Sequence, residues 1–212
     1  SITPAYYYPH GKSDANKRRS MSGTGSSRGY ATNQSLTFLV DVIKELKITS
    51  MLDIPCGDVN WQMDAWETDS LDIYVGADVV PAVIALNKRR FSHHVNKLFV
   101  LWDFVTCPLP KLAVLRSEAS EPTGKVFDLV HVRDVLQHLP LKDAARAAKH
   151  LLTSGIPYII ATTFPNGTNE EIQQGEYFMN NLEKAPYNFP KPIRCVATHP
   201  NIEPDLTCLY KS

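Results

Sequence analysis

Short apolar runs alternate with stretches of helical periodicity along most of the chain. The apolar runs predict seven strands, at residues 50–54, 72–78, 97–103, 126–132, 157–162, 193–198 and 206–210. Apolar residues at helical spacing predict helices between them, at residues 34–46, 61–66, 81–90 and 141–152. Because strands that alternate with helices form parallel sheets covered on both faces, and the last connection is short, we expect an α/β fold that ends in an antiparallel hairpin.

Three segments lack this pattern. Residues 1–32 are rich in Tyr, Ser, Gly and Lys/Arg without a clear period, which is typical of a disordered arm or of a segment that orders over a site. Residues 165–190 are polar with Asn, Gly and Pro and predict a long functional loop with a short helix, and residues 108–124 predict a second loop. The chain therefore divides into an amino-terminal arm or lid, residues 1–32, and one domain, residues 33–212.

The charges of the chain balance, with 22 Lys and Arg against 22 Asp and Glu. No global field therefore favours nucleic acid or an anionic membrane, and we expect the basic clusters 17–19 and 88–90 to be solvated surface. No apolar run reaches the roughly 18 residues that a membrane helix needs, so we expect no membrane segment in this chain. We expect no metal, because the acids and histidines are not grouped at ligand spacing.

Two of the four cysteines, Cys195 and Cys208, flank a turn-rich segment between the last two predicted strands. Antiparallel pairing about that turn brings them near one another, so either a disulfide or two unlinked thiols fits the sequence. Asn166 and Asn33 each begin a glycosylation acceptor triplet. If the disulfide and the Asn166 triplet are used, the protein belongs to the Golgi or secretory lumen, and otherwise it is cytoplasmic.

Three successive strands each deliver an acid, namely Asp53, Asp78 and Asp103. Ligands of open parallel sheets bind at the carboxyl ends of the strands, so these acids predict a ligand rich in hydroxyl and amino donors, such as a nucleoside that carries a cationic group. The offset of Asp78 from Asp53 is that of a ribose-binding carboxylate, although each acid also fits a simple capping role. Asp103 and Phe104 fit an adenine. Gly57 permits close backbone approach to a ligand, and the lack of a full GxGxxG pattern disfavours NAD.

The fourth strand breaks into charge at Arg133 and Asp134, at the same edge of the sheet. Asp134 fits a general base for a hydroxyl, with Arg133 positioning the acceptor, and the alternative is an ion pair that only shapes the loop. His138 fits either a rival base or a packed core histidine. The loop residues that we expect to influence selectivity are Glu176, Tyr177 and Asn180.

The run 23–28 is rich in glycine and hydroxyl groups and ends in Arg28. It fits a lid that closes over a cofactor carboxylate with Arg28 as the partner, or a flexible linker. It is a weak phosphate loop, because it lacks the Walker lysine and does not follow a strand. Trp61, close to Asp58, either forms a wall of the site or belongs to the core.

In the segments 52–58, 103–104 and 133–139, and at Asp78, the chain resembles the class I S-adenosylmethionine-dependent methyltransferases. The resemblance implies a Rossmann-like fold, S-adenosylmethionine as the cofactor, ribose binding by Asp78, adenine binding by Asp103 and Phe104, and a Gly57 that faces the methionine part. The complete set of residues that we predict to bind the cofactor is Asp53, Gly57, Asp58, Trp61, Asp78, Val79, Asp103, Phe104, Arg133 and Arg28.

The segments 58–61, 162–165 and 186–190 resemble a small methyltransferase subfamily linked to glycan modification. The resemblance implies O-methylation of a hydroxyl, most of all of a sugar or glycan, with Asp134 as the base. Because the methyl sulfonium is already activated, the enzyme must mainly align sulfur, methyl group and oxygen. The alternatives are a small metabolite or a protein side chain as acceptor, or a nucleoside-binding module without catalysis.

Overall fold

The computed structural model describes residues 19–112, 126–173, 176–198 and 205–212. Its strands are β1 (Ser50–Asp53), β2 (Ile73–Asp78), β3 (Lys97–Leu101), β4 (Leu129–Val132), β5 (Tyr158–Thr163), β6 (Arg194–Ala197) and β7 (Leu206–Lys211). They form one seven-stranded sheet with the order β3-β2-β1-β4-β5-β7-β6. The first five strands are parallel, and β7 is antiparallel to both of its neighbours. The predicted α/β fold with an antiparallel last hairpin is confirmed.

The helices cover both faces of this sheet. The α-helices that lie entirely within the described ranges are α1 (Tyr30–Leu46), α2 (Trp66–Asp69), α3 (Pro81–Arg90) and α4 (Leu141–Leu152), and short 3₁₀ helices form at Thr24–Ser26 and Leu136–His138. Successive side chains of a strand point to opposite faces, so β1 places Met51 in the core under α1 and α3, and Leu52 in the core under α4. Among the described helices, none combines the length and the apolar character needed to cross a membrane.

Two helices have the bounds that the sequence predicts. Helix α3 begins at Pro81, which is favourable because the first turn of a helix needs no amide donor there and the proline φ already fits. Helix α4 buries a stripe of small and apolar residues that includes Ala144, Ala148 and Leu151. The chain then turns at Gly155, whose φ of 77° lies in the left-handed region that glycine tolerates.

Three predictions about helices are wrong. Helix α1 begins at Tyr30 rather than at residue 34, and the Thr32 hydroxyl, 2.9 Å from the amide nitrogen of Gly29, caps this earlier start. The helix predicted at 61–66 does not form, because the Gln62 side chain donates hydrogen bonds to Asp53 and to the carbonyl of Cys56 and holds the segment against the β1 loop. The long loop contains no helix within residues 165–173 and 176–190, the parts that the structure describes. The loop predicted at 108–124 lies mostly outside the described residues.

The last hairpin, β6 and β7, contains a disulfide. Cys195 of β6 lies directly opposite Cys208 of β7, and the two form a disulfide. The edge strand β6 also contacts α1, because Arg194 forms an ion pair with Glu45 at 3.1 Å and lies 5.1 Å from the ring centroid of Phe38. Covalent and ionic contacts together fix the edge of the sheet.

The amino ends of β1 and β4 are joined by one carboxylate. An oxygen of Asp128 accepts hydrogen bonds from the amide and hydroxyl of Thr49 and from those of Ser50, at 2.8 to 3.1 Å. Burial opposes ionisation of this carboxyl group, but the four hydrogen bonds outweigh it and lower the pKa of Asp128 below its ordinary value. These hydrogen bonds fix β1 and β4 at their amino ends, opposite the strand ends that carry Asp53 and Asp78.

Candidate functional site

Asp78 ends β2 with both carboxylate oxygens bound to the main chain. One oxygen accepts a hydrogen bond from the amide of Gly57, and the other from the amide of Val80, each at 3.0 Å. The side chain is mostly buried, and burial raises the pKa of Asp78 above its ordinary value of 3.8, although the amides of Val80 and Gly57 act against this shift. Val79 beside it is half exposed. The carboxylate is therefore rigid, weakly solvated and able to accept further hydrogen bonds from hydroxyl groups.

Asp53 is buried at the end of β1. Its carboxylate is 1% exposed and accepts hydrogen bonds from Tyr74 Oη at 2.6 Å and Gln62 Nε2 at 3.2 Å, and it contacts His131 Nδ1 at 2.8 Å. Burial, followed by the charge of Asp53, raises the pKa of Tyr74 well above its ordinary value, so the phenol stays a donor. Asp53 thus organises the floor of the site, and these contacts occupy its oxygens.

The loop after β1 is approached by the segment before α1, residues 19–29, which we call the strap. Gly57 has a φ of 55°, and a side chain there would meet Ser22 Oγ at 2.5 Å. The Asp58 carboxylate accepts hydrogen bonds from Ser20 Oγ at 2.7 Å and from the amide of Met21 at 2.8 Å. The strap therefore lies over the loop after β1, residues 54–60, which we call the glycine loop.

Arg28, predicted to meet a cofactor carboxylate, has partners within the protein. Its guanidinium forms an ion pair with Asp64, and its Nε donates a hydrogen bond to the carbonyl of Asn60 at 3.1 Å. In addition, Asn60 Nδ2 donates to the carbonyl of Ser26 at 3.2 Å. Arg28 in this structure fastens the strap to the glycine loop.

Arg133 is the cation at the centre of the site. Its side chain is 5% exposed, its Nη1 lies 2.8 Å from the Asp134 carboxylate and donates to the carbonyl of Gly25 at 3.1 Å, and its Nε donates to Ser35 Oγ at 3.1 Å. The guanidinium carbon lies 5.5 Å from the centroid of the Trp61 ring. Arg133 thus joins β4, the strap and α1 at one point.

Trp61, which is buried, packs between His131 of β4 and Arg133, the residue that follows β4. Its ring meets the His131 imidazole edge-on at a centroid distance of 5.9 Å, and Arg133 lies on it as described. The outer nitrogen of His131, Nε2, is buried and has no hydrogen-bond partner among the described residues. Trp61 therefore belongs to the layer that supports the site, between Asp53 with His131 below and Arg133 above.

Asp134 follows β4 in a strained conformation. Its φ of 54° lies in the left-handed region, which is costly for a residue with a side chain and which clusters at functional sites. The carboxylate contacts Thr162 Oγ1 at 3.1 Å and Gln137 Nε2 at 3.4 Å, and its side chain is 24% exposed. A fixed, partly exposed carboxylate at this edge can accept a proton from a bound hydroxyl group.

His138 lies beside an aromatic pair contributed by the long loop and by the end of β5. Its ring centroid is 5.4 Å from that of Tyr177, which in turn meets Phe164 edge-on at 5.9 Å. Burial lowers the pKa of His138 below its ordinary value of 6.5, although a hydrogen bond with the main chain of Glu176 and the charge of Asp134 act against it. His138 is therefore neutral at neutral pH, and Tyr177 is half exposed.

Asp103 and Phe104 are engaged in local contacts. The Asp103 oxygens accept hydrogen bonds from the amide of Val105 at 2.9 Å and from Thr106 Oγ1 at 2.8 Å, which is the arrangement of an aspartate that begins a turn. The Phe104 ring is buried in the core under α4. Asp103 lies beyond the end of β3 at Leu101, at the same edge as Asp78.

No group of three or more His, Cys, Asp or Glu residues within the described ranges is arranged to hold a metal ion.

Two further loop residues, Asn180 and Glu176, have hydrogen bonds within the protein. Asn180 is fully buried, and its carbonyl accepts a hydrogen bond from the amide of Phe164 at 2.8 Å. The Glu176 carboxylate accepts one from the amide of Gln173 at 2.8 Å.

No protein-family model matches the chain, and no curated protein sequence matches it. Solved structures do match. Magnesium protoporphyrin IX methyltransferase from Synechocystis PCC 6803, with bound S-adenosylmethionine, aligns with a TM-score of 0.60 at 13% identity over 85% of this chain and 79% of that one. NodS, an N-methyltransferase from Bradyrhizobium japonicum WM9 with bound S-adenosylhomocysteine, aligns with a TM-score of 0.59 at 11% identity over 85% and 87% of the two chains.

The methyltransferase domain of a bacterial Hen1 protein, CtHen1-CN, aligns with a TM-score of 0.60 at 16% identity over 86% of this chain and all of that domain. The chain has the fold of S-adenosylmethionine-dependent methyltransferases. One of these neighbours is named for a magnesium porphyrin and another for N-methylation. The methyltransferase fold alone therefore does not select an acceptor.

Sequence reasoning missed four polar residues of the candidate site, namely His131, Gln137, Thr162 and Ser22. Three of them gave no signal: His131 lies within an apolar strand, Thr162 within a β-branched one and Ser22 in a low-complexity run. Their roles depend on the register that places His131 opposite Asp53 and on the docking of the strap. Gln137 could have been found, because its spacing from Asp134 puts the two on one helical turn.

Proposed function

We propose that this protein is an S-adenosylmethionine-dependent methyltransferase. The observation that supports the donor most directly is Asp78, a rigid carboxylate at the carboxyl end of β2 with Gly57 in left-handed conformation against it. Carboxylates at this position take ribose hydroxyls in dinucleotide-binding folds, and Gly57 adds no side chain of its own beside Asp78, where Ser22 of the strap lies against it. The fold shared with methyltransferases that hold S-adenosylmethionine or S-adenosylhomocysteine supports the same donor.

In the proposed reaction a hydroxyl oxygen of the acceptor forms the bond to the methyl group while the bond from that group to sulfur breaks. The sulfonium supplies an activated methyl group, so the task of the protein is alignment and removal of one proton. Asp134 receives that proton from the hydroxyl. Thr162 and Gln137 hold its carboxylate in place, and Arg133 balances its charge until the proton arrives.

For the acceptor we propose a hydroxyl of a sugar or glycan. Tyr177 offers a half-exposed aromatic ring next to Phe164 and His138, and an aromatic face can pack against the apolar face of a sugar ring. The neutral state of His138 adds a polar contact without charge. Asp134 lies beside this cluster, because Gln137, the residue before His138, contacts its carboxylate at 3.4 Å. A neutral polyhydroxylated ring fits this combination of groups.

The test compares two variants of the rival bases. Asp134→Asn is expected to lower the rate of methyl transfer to a responsive saccharide by roughly 10²- to 10⁴-fold with the donor affinity retained, which is the usual contribution of a general base. His138→Gln removes the rival base and is expected to retain most of the rate at saturating acceptor, while its loss of a polar contact raises the KM for the acceptor. A panel of saccharides, small hydroxylated metabolites and peptides identifies the acceptor class. Turnover on peptides alone would contradict the saccharide assignment, and full turnover by Asp134→Asn would contradict its role as the base.

We also propose that the protein works in an oxidising compartment, the secretory or Golgi lumen. The Cys195–Cys208 disulfide supports this, because disulfides persist in oxidising surroundings and are rare in the cytosol. Asn166 of the Asn166-Gly167-Thr168 triplet is exposed. The test is the intact mass of the protein recovered from its own cells. A disulfide-linked and glycosylated form is expected, and a fully reduced, unmodified chain would contradict the assignment.

A further inference from the structure

The Arg133 guanidinium has one buried nitrogen whose N–H groups have no hydrogen-bond acceptor among the described residues. Of its five N–H donors, Nε serves Ser35, while Nη1 serves the carbonyl of Gly25 and the carboxylate of Asp134. Its Nη2 is buried and has no hydrogen-bond partner in the described parts of the chain. An unsatisfied donor on a permanently charged, buried group is costly, and such groups are usually paired.

The strap links the Arg133 guanidinium to the loop after β1. Ser22 of the strap contacts the position of a Gly57 side chain, and Gly25 of the same strap accepts from Arg133. Three residues of extended chain span at most about 10 Å, so this short segment links Gly57 and the Arg133 guanidinium. Asp78, the proposed ribose ligand, is bound to the amide of the same glycine. The amino acid portion of a methyl donor extends from its ribose, so we expect it to point from Asp78 toward the part of the strap that contacts Arg133.

The other cation of the strap is already paired. Arg28 forms an ion pair with Asp64 and donates to the carbonyl of Asn60. Arg133 has one carboxylate partner, Asp134, bound to Nη1, which leaves the Nη2 edge for a second. Planar guanidinium groups bind carboxylates with high directional preference.

Building on the proposed function, we propose that Arg133 binds the carboxylate of the methyl donor's amino acid portion through Nη2, and that Arg28 does not. The same guanidinium also contacts Gly25 of the strap and the carboxylate of Asp134. One positive charge would therefore contact the carboxylate of the methyl donor, the strap and the proposed base. Arg133 is then a positioning residue that selects donors with a carboxylate and closes the strap over them.

The experiment measures the affinity of the full chain for S-adenosylmethionine and for its decarboxylated form, which differ by one carboxylate. The wild type is expected to prefer the carboxylated donor by roughly 10- to 100-fold, the usual effect of a hydrogen bond between charged groups. Arg133→Gln is expected to reduce this preference to about onefold. Arg28→Gln is the matched control on the strap and is expected to keep the preference.

A third ligand and a third variant separate folding from recognition. Methylthioadenosine lacks the amino acid portion, so its affinity is expected to be unchanged in a folded Arg133→Gln protein. Arg133→Lys retains the positive charge but lacks the planar guanidinium, and is expected to keep part of the preference for the carboxylated donor. A preference that survives in Arg133→Gln, or that disappears in Arg28→Gln, would overturn the assignment. Failure of the wild type to bind any of the three compounds would instead contradict the proposed function itself.

Discussion

The hydroxyl of Thr162 accepts a hydrogen bond from the amide of Asp134 and contacts the carboxylate of the same residue, both at 3.1 Å. One side chain of β5 therefore fixes the backbone and the side chain of Asp134, whose φ of 54° is strained. Since strain persists only where the surroundings enforce it, this pair of bonds defines the orientation of the proposed base.

The first prediction concerns this support. Thr162→Val keeps the shape of the side chain but removes both hydrogen bonds, so the carboxylate of Asp134 loses its orientation. We expect the turnover number to fall by roughly 10- to 100-fold, as for other residues that orient reacting groups, with little change in donor affinity. Steady-state kinetics together with donor titration measure the two effects. A parallel loss of donor binding would show that Thr162 supports the donor instead.

A second prediction is the pH dependence of donor binding. Ribose hydroxyls donate to the ionised form of Asp78, and burial has raised the pKa of this residue above 3.8. As the pH falls through the raised pKa, the carboxyl group takes up a proton and the donor affinity must fall. The decline is expected to begin at a higher pH than an ordinary aspartate would cause. Calorimetric titration at a series of pH values measures it, and a constant affinity down to the ordinary range would contradict the burial of this charge.

The folding stability of the protein without a bound donor also depends on the ionisation of Asp78. The raised pKa of Asp78 means that the folded state binds the proton more tightly than the unfolded state. This group therefore adds stability at pH values below the unfolded pKa and loses that contribution as the pH rises through the folded pKa. Bound donor opposes the trend, because it favours the ionised carboxylate.

A third prediction concerns stability away from the site. Asp128→Asn leaves the donors of Thr49 and Ser50 with a weaker acceptor, and we expect a loss of about 1–3 kcal/mol in the free energy of unfolding at neutral pH. Since the pKa of Asp128 is lowered in the folded state, its contribution is present above the unfolded pKa and disappears as the pH falls through the folded pKa. Urea unfolding measures both effects.

Asp143→Asn is the matched control for that experiment, because Asp143 is a surface carboxylate whose contact with Arg146 is 3.5 Å long. Exposed pairs of this kind contribute little, so we expect its loss of stability to stay within about 0.5 kcal/mol. Equal destabilisation by the two variants would contradict the proposed role of Asp128 in joining β1 and β4.

A fourth prediction separates the cysteines by reactivity. Burial, followed by the charges of Asp53 and Asp78, raises the pKa of the Cys56 thiol far above its ordinary value, so the nucleophilic thiolate is scarce. Cys107 is exposed. Iodoacetamide is expected to modify Cys107 in the native protein and to spare the other three cysteines, which peptide mass mapping resolves. Rapid modification of Cys56 would contradict its burial in the glycine loop.

The sequence predicts the fold well because its signals are local. Apolar runs, the proline that opens α3 and the alanine-rich stripe of α4 each specify an element without help from the rest of the chain. The alternation of strands and helices then leaves few topologies. The segment around Trp61 is the exception, because the side-chain hydrogen bonds of Gln62 replace a helix that the apolar spacing favours.

The site is less predictable because its contacts are distant in sequence. Nothing near Asp53 indicates that β4 brings His131 against it, or that Arg133 reaches the strap at Gly25. Arg28 looked suited to a ligand carboxylate by composition, but only the folded chain supplies Asp64 as its partner. Spacing identified the acids at the strand ends. It could not distinguish an acid that faces a ligand from one that holds the layer beneath it.

The central claim is donor binding at Asp78, and one calorimetric titration tests it most directly. S-adenosylhomocysteine is titrated into the wild type, into Asp78→Ala and into Asp143→Ala as the matched control for loss of a carboxylate, with NAD as a control ligand. We predict binding by the wild type and by Asp143→Ala, a loss of at least roughly 100-fold for Asp78→Ala, and no binding of NAD. Absence of binding to the wild type, or unchanged affinity in Asp78→Ala, would contradict the account.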